Sequence, residues 1–269
     1  MDSSAINQIV SQLPSLAYPA LGTLPRLTAA FLILPLLTKA FVPRQIRIGL
    51  MLVLGLAIYP AMAVSFSQEN WFLGDWIVFV AKEFFIGGLI GYSVGILLWA
   101  LAAMGELIDN QAAFTNAQIF NPFGGHSGGP FSAFMAQFGG ILFIGLGGLK
   151  VFIQILYESF LLWPPSSFWP VLRVSFLDFT ISSSGSLLEI ATRLAAPIIG
   201  TLLIIEIGIG LINRAAPQFN AFYASMPIKA AAAFLMLALL LSQIVDAVRL
   251  YIISLPKILQ NLNNLLSPI

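Results

Sequence analysis

The chain has 269 residues, 59% of them hydrophobic and only 9% charged, against roughly a quarter charged in a soluble domain, and its mean hydropathy of +0.94 argues against a soluble enzyme. Twelve Lys and Arg against eleven Asp and Glu leave a formal charge of +1, too few cations to neutralise a phosphate backbone, so no nucleic acid is expected as a partner. With no cysteine and a single histidine, His126, disulfides, thiolate metal sites and most imidazole chemistry are unavailable, and no metal site is expected.

Roughly 20 apolar residues cross a bilayer core as a helix. Uncharged stretches of that order run from Asp2 to Arg26, Arg47 to Glu69, Glu83 to Glu106 and Asp109 to Lys150. Divided at their Pro, Gly and Asn breaks, the apolar runs predict about six long helical segments near 16–42, 45–66, 72–108, 131–162, 186–214 and 226–253. The expected fold class is therefore an all-α membrane protein, one membrane-type unit over 1–269 with no soluble second domain. No cleaved signal is expected, because Asp2 stands where a basic region belongs and the apolar run continues past Arg26. Lys39, Arg44 and Arg47 at the first connection, with Arg214 and Lys229 around the fifth, favour the cytoplasm for the odd-numbered connections. Arg249 and Lys257 lie at the end that this alternation places outside.

The third segment carries Gly87, Gly91 and Gly95 at i, i+4 and i+8. They form a helix face without side chains, against which another helix packs closely. The string Gly91-Tyr92-Ser93-Val94-Gly95 also matches a nucleophile elbow, but an elbow requires a strand, a strained turn and a helix, and here an apolar run surrounds the serine. Gly145, Gly147 and Gly148 before Lys150 mimic a phosphate loop without its full motif or a preceding strand.

Ionisable residues stand inside or near the ends of the apolar runs: Lys82, Glu83, Glu106, Lys150, Glu158, Arg193, Glu206 and Arg214. Facing lipid, each costs a few kcal/mol even on the gentler scales. They either pair within the bundle, face other subunits or water, or line an ion pathway. The last is disfavoured because the acids stand singly on separate segments. Glu206 lies thirteen residues after Arg193 and eight before Arg214, so neither is a partner one turn away, and its partner must come from elsewhere.

The long uncharged connection from Asn110 to Pro130 holds four glycines and two prolines within its last nine residues, which forbids a continuous helix. It is either an exposed loop with His126 in solvent, or a flexible obstruction in a conduit that Phe and Ile narrow and glycines let move.

The fifth connection reads Leu211-Ile212-Asn213-Arg214-Ala215-Ala216-Pro217-Gln218-Phe219-Asn220-Ala221-Phe222, followed by Met226-Pro227-Ile228-Lys229. This closely resembles the NRAAPQ-N-F … P-K stretch of the FliR/SctT family (SpaR/YscT/EscT-like), an export-apparatus component of flagella and type III secretion injectisomes. Arg26 through Arg47, with Val42-Pro43-Arg44 before Ile46-Arg47-Ile48-Gly49-Leu50, resembles the family's first hairpin. Lys82-Glu83 through Asp109-Asn110-Gln111 resembles its third helix and following motif, so the resemblance covers nearly the whole chain. The stretches Glu106 to Gln111, Gly147 to Lys150 and Tyr157 to Pro164 look like the injectisome branch, with Ala112 where an arginine often follows the glutamine.

The resemblance implies a single export-gate domain over 1–269. Its helical hairpins would pack into a hetero-oligomeric export gate in the bacterial inner membrane, within the basal body. It implies SctR/FliP-type and SctS/FliQ-type subunits as partners, SctU/FlhB-type and SctV/FlhA-type export proteins, needle or rod subunits, unfolded secreted substrates and membrane lipid. No cofactor and no enzymatic activity are implied. The connection after the third helix corresponds to the family's channel plug, with Phe114, Ile119, Phe120, Asn121, Pro122, Phe123, Gly124, Gly125, Gly128 and Gly129 as candidates for the obstruction and its hinges. Asn213, Arg214, Ala215, Ala216, Pro217, Gln218, Asn220, Pro227 and Lys229 form the expected assembly motif. The alternatives are the flagellar counterpart and a stand-alone small-molecule permease, and the permease lacks a clear internal repeat.

Overall fold

The computed structural model describes residues 22–37, 42–63, 73–114, 129–164, 175–216 and 221–266. All regular elements among them are helical. Helix α1 (Gly22–Ile33) is followed by a 3-10 turn, Pro35–Leu37. Then come α2 (Arg44–Ala63), α3 (Leu73–Gln111), α4 (Pro130–Gly145), α5 (Gly148–Leu162), α6 (Ser175–Ala215) and α7 (Ala221–Leu266). The all-α membrane class holds. Among the described residues three helical stretches are long and apolar enough to cross a membrane, Gly74–Gln111, Ile181–Ala215 and Ser225–Lys257, and the bent α4–α5 pair makes a fourth if counted as one span.

Four expected segments need correction. The segment near 16–42 is not one helix in its described part, because proline disfavours helix at the residue before it and α1 stops at Ile33, ahead of Pro35. The segment near 131–162 is broken at Leu146 and Gly147. Gly147 takes φ +85, a left-handed conformation that costs a residue with a Cβ, so α4 ends there and α5 restarts. The segment expected from 186 begins at Ser175. Within the added turns Ser186 donates its hydroxyl to the Ser182 carbonyl one turn back, so the helix backbone accepts this polar side chain. The last helix likewise continues to Leu266 rather than stopping near 253.

The chain divides into two compact units. One comprises Met1–Gly95, Leu149–Phe179 and Ser254–Ile269; the other comprises Ile96–Gly148 and Thr180–Ile253. In the first, α1 lies on the glycine face of α3 at backbone distance. A Cβ added to Gly87 would stand 2.1 Å from the Arg26 carbonyl oxygen, and one on Gly91 would stand 2.6 Å from that of Ala30. Gly95, the third glycine of the series, is buried in the same helix. Phe31 of α1 meets Phe152 of α5 with ring centroids 5.7 Å apart. In the second unit, Phe131 of α4 lies between Phe234 of α7, at 4.5 Å, and Phe114 beyond the end of α3, at 5.9 Å.

Burial differs sharply among the long helices. Two thirds of the most apolar window of α3 is buried (67%), against 17% for α6 and 22% for α7. A helix apolar all round belongs inside, and α3 fits that rule. The exposed apolar faces of α6 and α7 instead suit lipid or further protein.

Candidate functional site

The first unit holds a sealed charge cluster. Arg26 on α1 and Glu83 on α3 are both fully buried. Glu83 lies four residues before Gly87, hence on the face of α3 that α1 approaches. The guanidinium forks onto the carboxylate, Nε to Oε2 at 2.7 Å and Nη2 to Oε1 at 3.0 Å. Its other N–H groups donate to the C-terminal end of α5: Nη1 to the Ser159 carbonyl at 2.7 Å and hydroxyl at 3.1 Å, and Nη2 to the Trp163 carbonyl at 2.9 Å. The plane of the guanidinium is covered by Phe160, with the ring centroid 4.1 Å from Cζ. Lys82 adds its ammonium to Glu83 Oε1 at 3.0 Å and to the Pro164 carbonyl at 3.4 Å.

The physical logic is helix capping by cations. The last carbonyls of a helix lack intrahelical donors and carry partial negative charge. Here two cations from α1 and α3 meet the end of α5, and one carboxylate between them moderates their mutual repulsion. A bidentate, charge-assisted pair of this kind is geometrically specific. Its groups are spent on one another, so the cluster fastens three helices and offers no reactive group.

In the second unit the polar residues gather where α3 ends. Asp109 is fully buried, and its carboxylate accepts the backbone N–H of Phe131 at 3.0 Å and of Ser132 at 2.8 Å, capping the first turn of α4. Its backbone carbonyl accepts the N–H of Phe114 at 3.0 Å, in a turn where Ala113 takes φ +65. Two residues after Asp109, Gln111 donates to Glu206 Oε2 of α6 at 2.8 Å. Lys229 of α7 places its ammonium 3.4 Å from that oxygen and 3.4 Å from the Gln111 carbonyl. The Lys229 side chain is almost wholly enclosed, whereas that of Glu206 is 56% exposed.

The candidates named from sequence fall unevenly on this geometry. Of the expected embedded charges, Lys82 and Glu83 enter the first cluster and Glu206 the second. Glu158 is half-buried and accepts from Gln154, one turn away, at 2.7 Å. Glu106, Lys150 and Arg193 are exposed and belong to neither cluster. Of the expected plug residues, Phe114 and Gly129 are described. Ile119, Phe120, Asn121, Pro122, Phe123, Gly124, Gly125 and Gly128, with His126, lie outside the described residues. Of the expected assembly motif, Asn213, Arg214, Ala215 and Ala216 stand exposed at the end of α6, Pro227 is exposed and Lys229 buried, while Pro217, Gln218 and Asn220 lie outside the described residues.

Sequence reasoning missed Arg26 and Asp109 as site residues. Arg26 was treated as the end of an uncharged stretch, although an arginine within an apolar segment needs a buried acid, and Glu83 supplies one. The two accidental motifs dissolve. Ser93 lies in mid-α3 and donates its hydroxyl to the Leu89 carbonyl at 2.8 Å, and Gly145 to Gly148 form the α4–α5 break. Among the described residues no group of three His, Asp or Glu is placed to hold a metal ion.

A family model described as bacterial export proteins, family 1, matches residues 18–253. The Yop proteins translocation protein T of Yersinia pestis is 34% identical over 87% of this chain and 89% of its own length. The surface presentation of antigens protein SpaR of Salmonella typhimurium is 27% identical over 85% and 84% of the two chains. The flagellar biosynthetic protein FliR of Pectobacterium carotovorum is 29% identical over 80% and 81%.

Proposed function

The chain belongs to the bacterial export proteins of family 1, and on that premise we propose that it is a core component of a type III secretion export apparatus of the injectisome kind. The whole chain acts as one export-gate domain in the bacterial inner membrane. With SctR/FliP-type and SctS/FliQ-type subunits it forms the entry gate for unfolded secreted proteins, next to the SctU/FlhB-type and SctV/FlhA-type proteins. It catalyses no reaction and works by opening and closing a passage. The connection between α3 and α4 serves as the plug.

The observation that carries this reading is the family match from residue 18 to 253, together with relatives that align over most of both chains. The higher identity to the Yop translocation protein than to FliR favours the injectisome side. The wide exposed apolar faces of α6 and α7, which also carry the charged residues Arg193, Glu206 and Arg214, fit a helix pair that meets other subunits rather than lipid alone.

Native mass spectrometry of the tagged chain, extracted in mild detergent after co-expression with its operon neighbours, tests the proposal. The expected species is one copy bound to several copies of two small hydrophobic subunits. A stable lone monomer or homodimer overturns it. Arg214→Ala, at the exposed end of α6, is expected to lower the yield of that complex while leaving the isolated chain folded.

A further inference from the structure

We infer that Asp109 is the positioning residue of the α3–α4 connection: it fastens both roots of that connection to one buried residue, the outgoing root to its backbone carbonyl and the incoming root to its carboxylate, so that α3 and α4 stay joined at this point. This rests on the plug proposal above for its consequence, though not for its geometry.

Three observations converge on one residue. The outgoing root turns back on Asp109, since the Phe114 N–H donates to its backbone carbonyl after the positive-φ residue Ala113. The incoming root ends on its side chain, since the Phe131 and Ser132 N–H groups donate to its two carboxylate oxygens. Gly129, the residue before α4, leaves the space for this: a Cβ there would stand 2.3 Å from the Asp109 carboxyl carbon and 2.5 Å from both oxygens. At φ −75 the Gly129 backbone is one that other residues adopt. The glycine is therefore demanded by the carboxylate and not by the turn.

The electrostatics explain why the residue is an acid. Asp109 is fully buried, and its side-chain partners are the N–H groups at the start of α4, a helix of 16 residues whose N-terminus carries partial positive charge. An ionised oxygen on each N–H satisfies two of that helix's unpaired donors at once. An asparagine of the same shape presents an NH2 to one of those donors, losing one bond and opposing donor to donor. The rings of Phe114 and Phe131, 5.9 Å apart, close the same root on its apolar side.

The test measures the root and the passage separately. Because the chain has no cysteine, spin labels can be attached at Asn110→Cys and Ala133→Cys, both exposed positions on either side of the root. In the full chain, co-purified with its partner subunits, pulsed electron resonance is expected to give a single narrow distance. Asp109→Asn, which removes the charge, and Gly129→Ala, which keeps the carboxylate and crowds it, are both expected to lose that narrow distance. If Asp109→Asn does not fold, Gly129→Ala alone decides. An unchanged distance in the variants that fold overturns the inference. Solute leakage through the assembled complex is then compared with a deletion of residues 119–125. Leakage from the deletion and from the Asp109 and Gly129 variants supports positioning of the plug by its roots. A loosened root without leakage, beside a leaky deletion, overturns the positioning role. A tight deletion removes the plug reading and leaves the distance measurement to decide the fastening itself.

Discussion

The Arg26 and Glu206 clusters answer the same difficulty, a charge on an apolar helix, in opposite ways. Arg26 and Glu83 are closed off completely by their own chain, with guanidinium, carboxylate and helix carbonyls satisfying one another. Glu206 is met by Gln111 and Lys229, and more than half of its side chain faces outward among the exposed apolar residues of α6. A sealed cluster serves the fold of the chain that makes it. A half-open one leaves part of a carboxylate for something outside the chain, and in a membrane helix that is an expensive position unless another polar group or water meets it.

This contrast breaks first at Arg26. Arg26→Ala strands the Glu83 carboxylate and uncaps α5, and is expected to cost about 3–5 kcal/mol. It should appear as a large loss of monodisperse protein and of melting temperature in detergent. Arg26→Lys is expected to recover little, because one ammonium cannot cover the five acceptor contacts of a planar fork. Near-native stability of either variant would end the view that this cluster fastens the fold.

A smaller effect sharpens the same point. Gly87→Ala pushes a methyl group onto the Arg26 carbonyl and must part α1 from α3, an overpacking cost of about 1–3 kcal/mol. Gly49→Ala in α2, where the added carbon meets nothing within 4 Å, is expected to stay within about 0.5 kcal/mol of the parent. Equal melting temperatures for the two would show that close approach at Gly87 contributes nothing. The smallest change is expected at the open cluster. Glu206→Gln should cost the isolated chain about 1 kcal/mol, because the amide keeps an oxygen for the enclosed Lys229 ammonium and Glu206 itself is more than half exposed. If the outward carboxylate meets a partner, the same variant should reduce co-purification of the small subunits more than it lowers the melting temperature. A stability loss as large as that of Arg26→Ala would erase the distinction between the clusters.

Much of the fold was legible because hydropathy and helix length are properties of local sequence. The third segment, expected near 72–108, is α3 from Leu73 to Gln111, and Gly87 and Gly91 lie where α1 crosses. The expected ends failed where a residue has two roles. The polar run from Ser182 to Ser186 continues a helix that was expected to start at 186, and the Ser182 carbonyl accepts the Ser186 hydroxyl. Gly145, Gly147 and Gly148 suit a helix in a membrane as well as a break, and only the φ of Gly147 distinguishes the two. The candidate site was less legible still. Lys229 was recognisable within a motif, but its pairing with Glu206 and with Gln111 spans 23 and 118 positions, distances over which helical periodicity carries no information.

The sequence by itself determined the class of the molecule: with 9% charge, backbone polar groups in an apolar surrounding need helices or a closed barrel, and uncharged runs of roughly 20 residues or more suit helices. It also determined the family, through an order of residues that composition does not constrain. The tertiary structure decided which charges are neutralised at home. Arg26 finds Glu83, Asp109 finds the start of α4 and Glu206 finds Lys229 because packing brings distant segments within hydrogen-bonding range. An ion pair or a cap depends on that range of about 3 Å and not on separation along the chain.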